Sequence, residues 1–231
     1  MLRAIIFDFN GIILNDEPLH FQAMRDSVSE IGITIGEEEY WSRYLPLDDE
    51  RCLQAICSTH ARTLTEDERL WVLKEKISLY RRYLKDHYPL FPGAANFIRA
   101  AHARYPLALA SGARRDEIEA ALNAVGLMQC FEVIVAAQDF KLGKPHPESF
   151  LLALSWLNSK LDGKGTPIRP EDCLVIEDSV GGVEGARAAG MACLAVTNSY
   201  PAEKLWRANR VVASLEQVSL DDLCQTSGGG L

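Results

Sequence analysis

The chain contains none of the cysteine arrangements that build a disulfide framework or a zinc site. Its six cysteines are scattered, none forms Cys-x-x-Cys, and no Cys/His pair has zinc-ligand spacing. Two of them, Cys173 and Cys193, fall in strand-like apolar runs. We therefore expect buried, reduced thiols, which is the usual state in a cytoplasmic protein.

Long apolar runs and an excess of positive charge are also missing. No run approaches the ~20 apolar residues of a membrane span, and residues 2–9 lack the basic-then-apolar layout of a signal peptide. The net charge of −8 over 231 residues disfavours nucleic acid or an anionic membrane as the main partner. No Gly-x-Gly-x-x-Gly follows the first strand, which disfavours hydride transfer. With these classes disfavoured, we expect the partner to be a small molecule. The sequence does not determine the oligomeric state.

Short apolar runs alternate with helical stretches over most of the chain. The predicted strands are residues 4–7, 107–110, 133–136, 173–176, 193–196 and 211–212. The predicted core helices are residues 94–104, 115–125, 147–158 and 180–189. This alternation predicts an α/β fold with parallel βαβ units and a Rossmann-like, doubly wound sheet.

Residues 16–88 interrupt this alternation, because they contain helix signals and no convincing strand. The clearest signal is the capping-box pattern at 65–68, which opens a helix. Apolar side chains then follow at helical spacing, at Leu70, Leu73, Ile77, Tyr80 and Leu84. The sequence therefore predicts a small all-α cap, 16–88, inserted after the first strand of a core formed by 1–15 and 89–225. Residues 89–93 are the predicted return hinge, and 226–231 a flexible tail.

The most informative segment is residues 5–17. An apolar strand ends in Asp8, and the backbone then turns at Gly11. Open parallel sheets bind ligands at the carboxyl ends of their strands, and an aspartate there can be a nucleophile, a metal ligand or both. Position 10 is Asn, where a second carboxylate would be expected.

Three later segments carry polar residues in comparable positions. Ser111 and Gly112 follow a strand, where a hydroxyl and backbone N–H groups can hold a phosphate. Lys144 precedes a helix and can neutralise a nucleophile and a phosphate together. Glu177 and Asp178 end a buried strand with the oxygen ligands that Mg²⁺ prefers.

These segments resemble the haloacid dehalogenase superfamily. Residues 7–11, Phe-Asp-Phe-Asn-Gly, are similar to its first motif, usually Asp-x-Asp-Gly. Residues 15–20, Asn-Asp-Glu-Pro-Leu-His, look like the entry to the helical cap of the β-phosphoglucomutase-like branch. Ser111, the Gly-Lys-Pro-x-Pro pattern around Lys144, and Glu177-Asp178 match the later motifs in order.

The resemblance implies a role for each of these residues. Asp8 would attack phosphorus and form an aspartyl-phosphate. Mg²⁺ would be held by Asp8, the carbonyl of Asn10, Glu177 and Asp178. The substrate phosphate would be held by Ser111, Gly112 and Lys144. His20 matches a histidine near the core–cap junction of the mutase branch and is a candidate substrate-binding residue.

Asn10 departs from the family pattern, because that position normally holds the general acid/base. Such proton transfer is typically worth ~10²–10⁴-fold in rate. Three interpretations stay open: a laboratory substitution that slows turnover, a native residue in an enzyme whose leaving group needs no proton, and transfer of the role to His20 or Asp16. Phosphonate-cleaving relatives also lack this acid and use a lysine of the cap instead. The candidates here would be Lys74, Lys76 and Lys85. All three are interpreted more simply as solvated charges on helices.

The predicted function is Mg²⁺-dependent phosphoryl transfer on a small phosphorylated metabolite, namely hydrolysis of a sugar phosphate. The alternatives are a hexose-phosphate mutase of the same branch and a non-catalytic phosphometabolite-binding protein. Arg43 and Arg51 of the cap, and Arg114 and Arg115 after the second strand, are further candidates for substrate contact. No cap arginine aligns with the phosphate-binding arginine of the mutase branch, and residues 48–50 are acidic.

Overall fold

A computed structural model describes residues 1–45, 47–84, 88–161 and 165–223. The predicted tail 226–231 lies outside these residues, as do Lys85 and Cys224. The chain divides into two compact units, one formed by Met1–Asn15 with Tyr88–Leu231 and the other by Asp16–His87.

The helices of the two units follow one another along the chain. Those of the inserted unit are α1 (Glu17–Ser29), α2 (Glu37–Arg43), α3 (Asp49–Thr59) and α4 (Glu66–Leu84). Those of the first unit are α5 (Ala94–His102), α6 (Arg115–Ala124), α7 (Glu148–Lys160) and α8 (Val180–Ala188). In the part of the chain that the structure describes, no helix is both long and apolar enough to span a membrane.

The first unit is built on a six-stranded parallel sheet. Its strands are β1 (Ala4–Phe7), β2 (Leu107–Ala110), β3 (Val133–Val135), β4 (Cys173–Glu177), β5 (Ala192–Val196) and β6 (Arg210–Val212). They are arranged in the order β3-β2-β1-β4-β5-β6. From β1 the strand order runs to β2 and β3 on one side and to β4, β5 and β6 on the other. The order therefore reverses between β1 and β4, and such a topological switch point is where these sheets bind ligands. The predicted α/β fold is confirmed.

Both faces of the sheet are covered, which explains why its strands consist mainly of apolar residues. Ile5 and Phe7 of β1 face one hydrophobic cluster, which includes residues of α5 and α6. Ile6 faces the other cluster, with Phe150 of α7 and Val183 of α8. The sheet core therefore fixes the ends of β1 and β4 rigidly.

The inserted unit is helical and has its own core, which includes Met24, Ile56 and Val72. The predicted capping box is present at the start of α4. Thr65 N donates to Glu68 Oε2 at 2.8 Å, and Glu68 N donates to Thr65 Oγ1 at 3.2 Å. The predicted helical insertion after β1 is confirmed.

The buried face of α4 differs from the apolar stripe in the sequence. Leu70 and Ile77 are 52% and 43% exposed, whereas Lys76 is only 2% exposed. The Lys76 ammonium donates to Asp49 Oδ1 at 2.6 Å and to His20 Nδ1 at 2.6 Å. The interpretation of Lys76 as a solvated helix charge is therefore wrong, because partners from α1 and α3 satisfy the ammonium inside the unit.

The two connecting segments pair with each other within the first unit. Asn15 N donates to Pro89 O at 2.8 Å, and Phe91 N donates to Ile13 O at 3.1 Å. Leu14 and Leu90 form an antiparallel bridge between these contacts. The chain therefore leaves and re-enters the core through adjacent segments, while the hinge role of 89–93 stays a prediction.

Candidate active site

The carboxyl ends of β1 and β4 bring three acidic residues together. Phe7 pairs with Ile176 in the sheet, and Asp8 N donates to Ile176 O at 3.0 Å. This register places Asp8 beside Glu177, the last residue of β4, and Asp178 follows directly. All three side chains are buried.

Lys144 joins two of these acids from the loop before α7. Its ammonium donates to Glu177 Oε1 at 2.6 Å and also to Asp8 Oδ1. It lies 5.0 Å from the centre of the Phe150 ring. Burial would lower the pKa of Lys144, but the charges of Asp8 and Glu177 outweigh it and raise the pKa above its ordinary value. Lys144 is therefore a fixed cation beside Asp8.

Glu177 has donors on both of its carboxylate oxygens. Oε1 accepts from Lys144, and Oε2 accepts from Asp178 N at 2.7 Å, Ser179 N at 2.8 Å and Ser179 Oγ at 3.0 Å. Burial would raise its pKa, but Lys144 and these donors keep it below its ordinary value. A Cβ at Gly182 would lie 1.8 Å from the Glu177 carboxyl group, so the turn into α8 requires glycine there.

The burial of Asp178 and Asp8 is offset less by neighbouring donors and positive charge, so their pKa values are raised. Burial is the largest cause that raises the pKa of Asp178 to about 8, followed by the charges of Glu177 and Asp8. Burial likewise raises the pKa of Asp8 to about 6, although Lys144 opposes it. Gly11 lies against Asp178 with φ +81°, and a Cβ there would be 2.0 Å from Asp178 Oδ2.

This charge balance fits a divalent cation. One ammonium faces three buried carboxyl groups, and burial first, then the neighbouring carboxylates, raise the pKa values of Asp8 and Asp178. Mg²⁺ takes oxygen ligands and usually keeps several waters. Among the described residues, no group of three or more His, Cys, Asp or Glu side chains is arranged so that it could hold a metal ion by itself. A cation here would be held by Asp8, Asp178, the backbone carbonyl of Asn10 and waters. The metal roles of Asp8, Asn10, Glu177 and Asp178 all stay predictions.

Ser111 and Gly112 follow β2, the strand next to β1. Ser111 N donates to Val135 O at 3.0 Å, and its buried Oγ accepts from Ala113 N at 3.1 Å. Gly112 is exposed, with nothing within 4 Å of where a Cβ would be. Ser111 thus serves the turn after β2, and its phosphate role stays a prediction.

The two arginines after this turn differ from each other. Arg115 donates to Ile134 O at 2.9 Å and to Asp139 Oδ2 at 2.6 Å, which ties α6 to the segment after β3. Arg114 is exposed and pairs with Asp116 at 3.0 Å. Arg114 is therefore the better candidate of the two for contact with a ligand.

His20 belongs to the inserted unit, where both of its ring nitrogens have partners. Nδ1 accepts from the Lys76 ammonium, which can only donate, so the ring proton lies on Nε2. That nitrogen is 3.3 Å from Asp16 Oδ2, and the ring stacks on Tyr80 with centroids 4.2 Å apart. This arrangement does not favour His20 or Asp16 as a replacement for the proton carrier missing at Asn10.

Two further residues were not predicted from the sequence. Asn198 Nδ2 donates to Gly11 O at 2.6 Å, and Ser199 Oγ donates to Asp178 Oδ2. Both follow β5, the strand next to β4. A signal for them was available in the sequence. Asn198 and Ser199 are polar residues that follow a buried strand, as Asp8 and Ser111 do.

Comparison with known proteins identifies the family. The model of the haloacid dehalogenase-like hydrolases matches residues 2–190. The fructose-1-phosphate phosphatase YqaB of Escherichia coli is 30% identical over 196 residues, which cover 81% of this chain and 93% of that protein. The chain belongs to the haloacid dehalogenase-like hydrolases and is a phosphatase of this type, a phosphoric monoester hydrolase.

Two further relatives show the range of the similarity. The chloroplastic 5-amino-6-(5-phospho-D-ribitylamino)uracil phosphatase of Arabidopsis thaliana is 28% identical over 94% of this chain, which spans about half (56%) of that protein. The solved structure of β-phosphoglucomutase from Clostridium difficile has a TM-score of 0.77 at 25% identity, and the match covers 98% of this chain and 97% of that one. The resemblance to the β-phosphoglucomutase-like branch is confirmed.

Proposed function

We propose that the protein is a Mg²⁺-dependent phosphatase of a small phosphorylated sugar or sugar alcohol, and that Asp8 is its nucleophile. The observation that carries this proposal is the partly buried Lys144 ammonium bonded to both Asp8 and Glu177 at the switch point of the sheet. The relatives named above support the substrate class, because their names specify a fructose phosphate and a phosphoribityl compound.

The residues divide the reaction between them. Asp8 is ionised above its pKa of about 6 and can attack phosphorus in line with the leaving oxygen. Lys144 neutralises charge on Asp8 and on the transferred phosphoryl group. Ser111 Oγ and the backbone N–H of Gly112 bind the remaining phosphate oxygens. When bound by Asp8, Asp178 and the carbonyl of Asn10, Mg²⁺ supplies further neutralisation of charge.

Asn10 sets the limit on turnover, because an amide cannot donate a proton to the leaving oxygen or take one from the attacking water. We therefore expect slow hydrolysis of ordinary sugar phosphates and faster release from substrates whose leaving group is a weak base. The backbone carbonyl of residue 10 does not depend on its side chain, so Asn10 leaves the cation site intact.

Hydrolysis is favoured over the mutase reaction by the charges of the cap. A mutase has to bind a second phosphate, which requires an available cation. Lys76 pairs with Asp49 at 2.6 Å, and Arg51 pairs with Asp48 at 3.4 Å. The buried Lys76 ammonium is therefore already satisfied within the cap, whereas the pair of Arg51 is exposed and weak.

The test is phosphate release from a panel of sugar phosphates by the chain, by Asn10→Asp and by Asp8→Asn. We expect release that requires Mg²⁺, a gain of ~10²-fold or more in Asn10→Asp, and none in Asp8→Asn. If neither the chain nor Asn10→Asp releases phosphate, the hydrolase proposal fails. Binding of beryllofluoride without turnover would then favour the non-catalytic alternative.

A further inference from the structure

The loop after β5 reaches the two loops that carry the proposed cation ligands. Asn198 Nδ2 donates to Gly11 O at 2.6 Å, in the turn after Asp8. Ser199 Oγ donates to Asp178 Oδ2, in the turn after β4. Because the neighbours in the sheet are β1, β4 and β5, two adjacent residues of one loop tie the other two loops together.

We propose that Asn198 and Ser199 are positioning residues for the cation site. Ser199 fixes the orientation of the Asp178 carboxylate, and Asn198 fixes the Gly11 peptide that follows the carbonyl of Asn10. The inference rests on the proposed function, since the cation is the Mg²⁺ that the phosphatase would require.

The chemistry of the two donors suits this role. A hydroxyl and an amide are neutral, so they can hold an oxygen in place without cancelling the negative charge that attracts a cation. An ammonium at the same place would neutralise that charge, as Lys144 does at Asp8 and Glu177. Partners that hold metal ligands in this way typically change metal affinity by 10–100-fold when removed.

Both contacts are made to crowded positions in the turns after β1 and β4. Asp178 is buried, and Gly11 has a left-handed φ of +81° with Asp178 packed against it. If Ser199 is truncated, the Asp178 carboxylate can rotate, and the cation then has to order it again. If Asn198 is truncated, the turn that carries the carbonyl of Asn10 loses its contact with the β5 loop.

The experiment is calorimetric titration of Mg²⁺ into the whole chain and into Ser199→Ala and Asn198→Ala. Matched controls are Ser159→Ala and Asn123→Ala, which change exposed helical positions of the same unit. We expect Mg²⁺ affinity to fall about 10–100-fold in the two test variants and to stay unchanged in the controls. Ser199→Thr keeps the hydroxyl and should restore most of the affinity.

Further readouts separate positioning from a purely structural role. The thermal midpoint of the metal-free protein should be similar in test and control variants, and saturating Mg²⁺ should recover kcat while the KM for Mg²⁺ stays raised. If the unmodified chain binds Mg²⁺ and both test variants bind it within twofold of that affinity, the positioning role of Asn198 and Ser199 is overturned, whereas the proposed cation site is not. If the unmodified chain binds no Mg²⁺, the proposed cation site is overturned as well.

Discussion

At the scale of single residues, the site depends on one cation among three buried acids. Lys144 donates to both Asp8, which directly follows β1, and Glu177, which is the last residue of β4. A buried charge that loses its partner costs far more than an exposed one. The same ammonium that would assist phosphoryl transfer therefore also stabilises the fold.

Replacing Lys144 with Ala should abolish phosphate release and lower the free energy of unfolding by about 3–5 kcal/mol at pH 8, because Asp8 and Glu177 lose their cation. Urea unfolding and a phosphate assay measure the two effects. Lys141→Ala, at an exposed position three residues earlier, is the control and should change neither. Stability of Lys144→Ala equal to that of the control would show that the ion pairs do not stabilise the fold.

At the scale of elements, the start of α8 is shaped by the carboxylate that precedes it. Ser179 caps the helix by accepting from Gly182 N at 3.0 Å and donates to Glu177 Oε2. Gly181 and Gly182 are adjacent in the helix but have different surroundings. A Cβ at Gly181 would meet its nearest neighbour at an ordinary 3.7 Å, whereas one at Gly182 would overlap the Glu177 carboxyl group.

Gly182→Ala should therefore destabilise the protein by about 1–3 kcal/mol, the usual cost of overpacking, and should weaken activity by displacing Glu177 from Lys144. Gly181→Ala should be neutral or stabilising by up to about 1 kcal/mol, because Ala is the better helix former. Thermal unfolding of the two variants side by side measures the difference. Equal effects would contradict the close approach of Glu177 to α8.

At the scale of the whole molecule, these acids link stability to pH. Burial and the neighbouring carboxylates raise the folded-state pKa of Asp8 to about 6 and of Asp178 to about 8, from 3.8. A carboxyl group with a raised pKa stabilises the fold at low pH, and this stabilisation is lost as the pH rises through the folded-state value. The lowered pKa of Glu177 acts in the opposite direction, but only below its ordinary value of 4.5.

We therefore expect the metal-free protein to lose stability between about pH 5 and pH 8. Mg²⁺ should raise the unfolding midpoint more at pH 8 than at pH 6, since protons compete with the cation for Asp8 and Asp178. Thermal unfolding with Mg²⁺ or a chelator at both pH values measures this, with Asp178→Asn as the variant in which the difference should shrink. An equal shift at both pH values would count against the cation site.

Much of the fold could be predicted because the strands are short apolar runs ended by polar residues. Four of the six strands begin at the predicted residue, and β4 extends one residue further, to Glu177. The buried face of α4 could not be predicted, because Lys76 is satisfied by His20 and Asp49 from distant parts of the sequence. The contacts of Asn198 and Ser199 could not be predicted for the same reason, since Asn198 donates to a residue 187 positions away in the sequence.

The most direct measurement is peptide mapping of the acid-quenched protein after incubation with a substrate that supports phosphate release. Without an acid/base at position 10, breakdown of an aspartyl-phosphate should be slow, so a phosphoryl group should be found on Asp8. It should be absent from Asp8→Asn, which should also release no phosphate. Phosphate release that persists in Asp8→Asn, or a phosphoryl group carried by another residue, would contradict the assignment of Asp8 as the nucleophile.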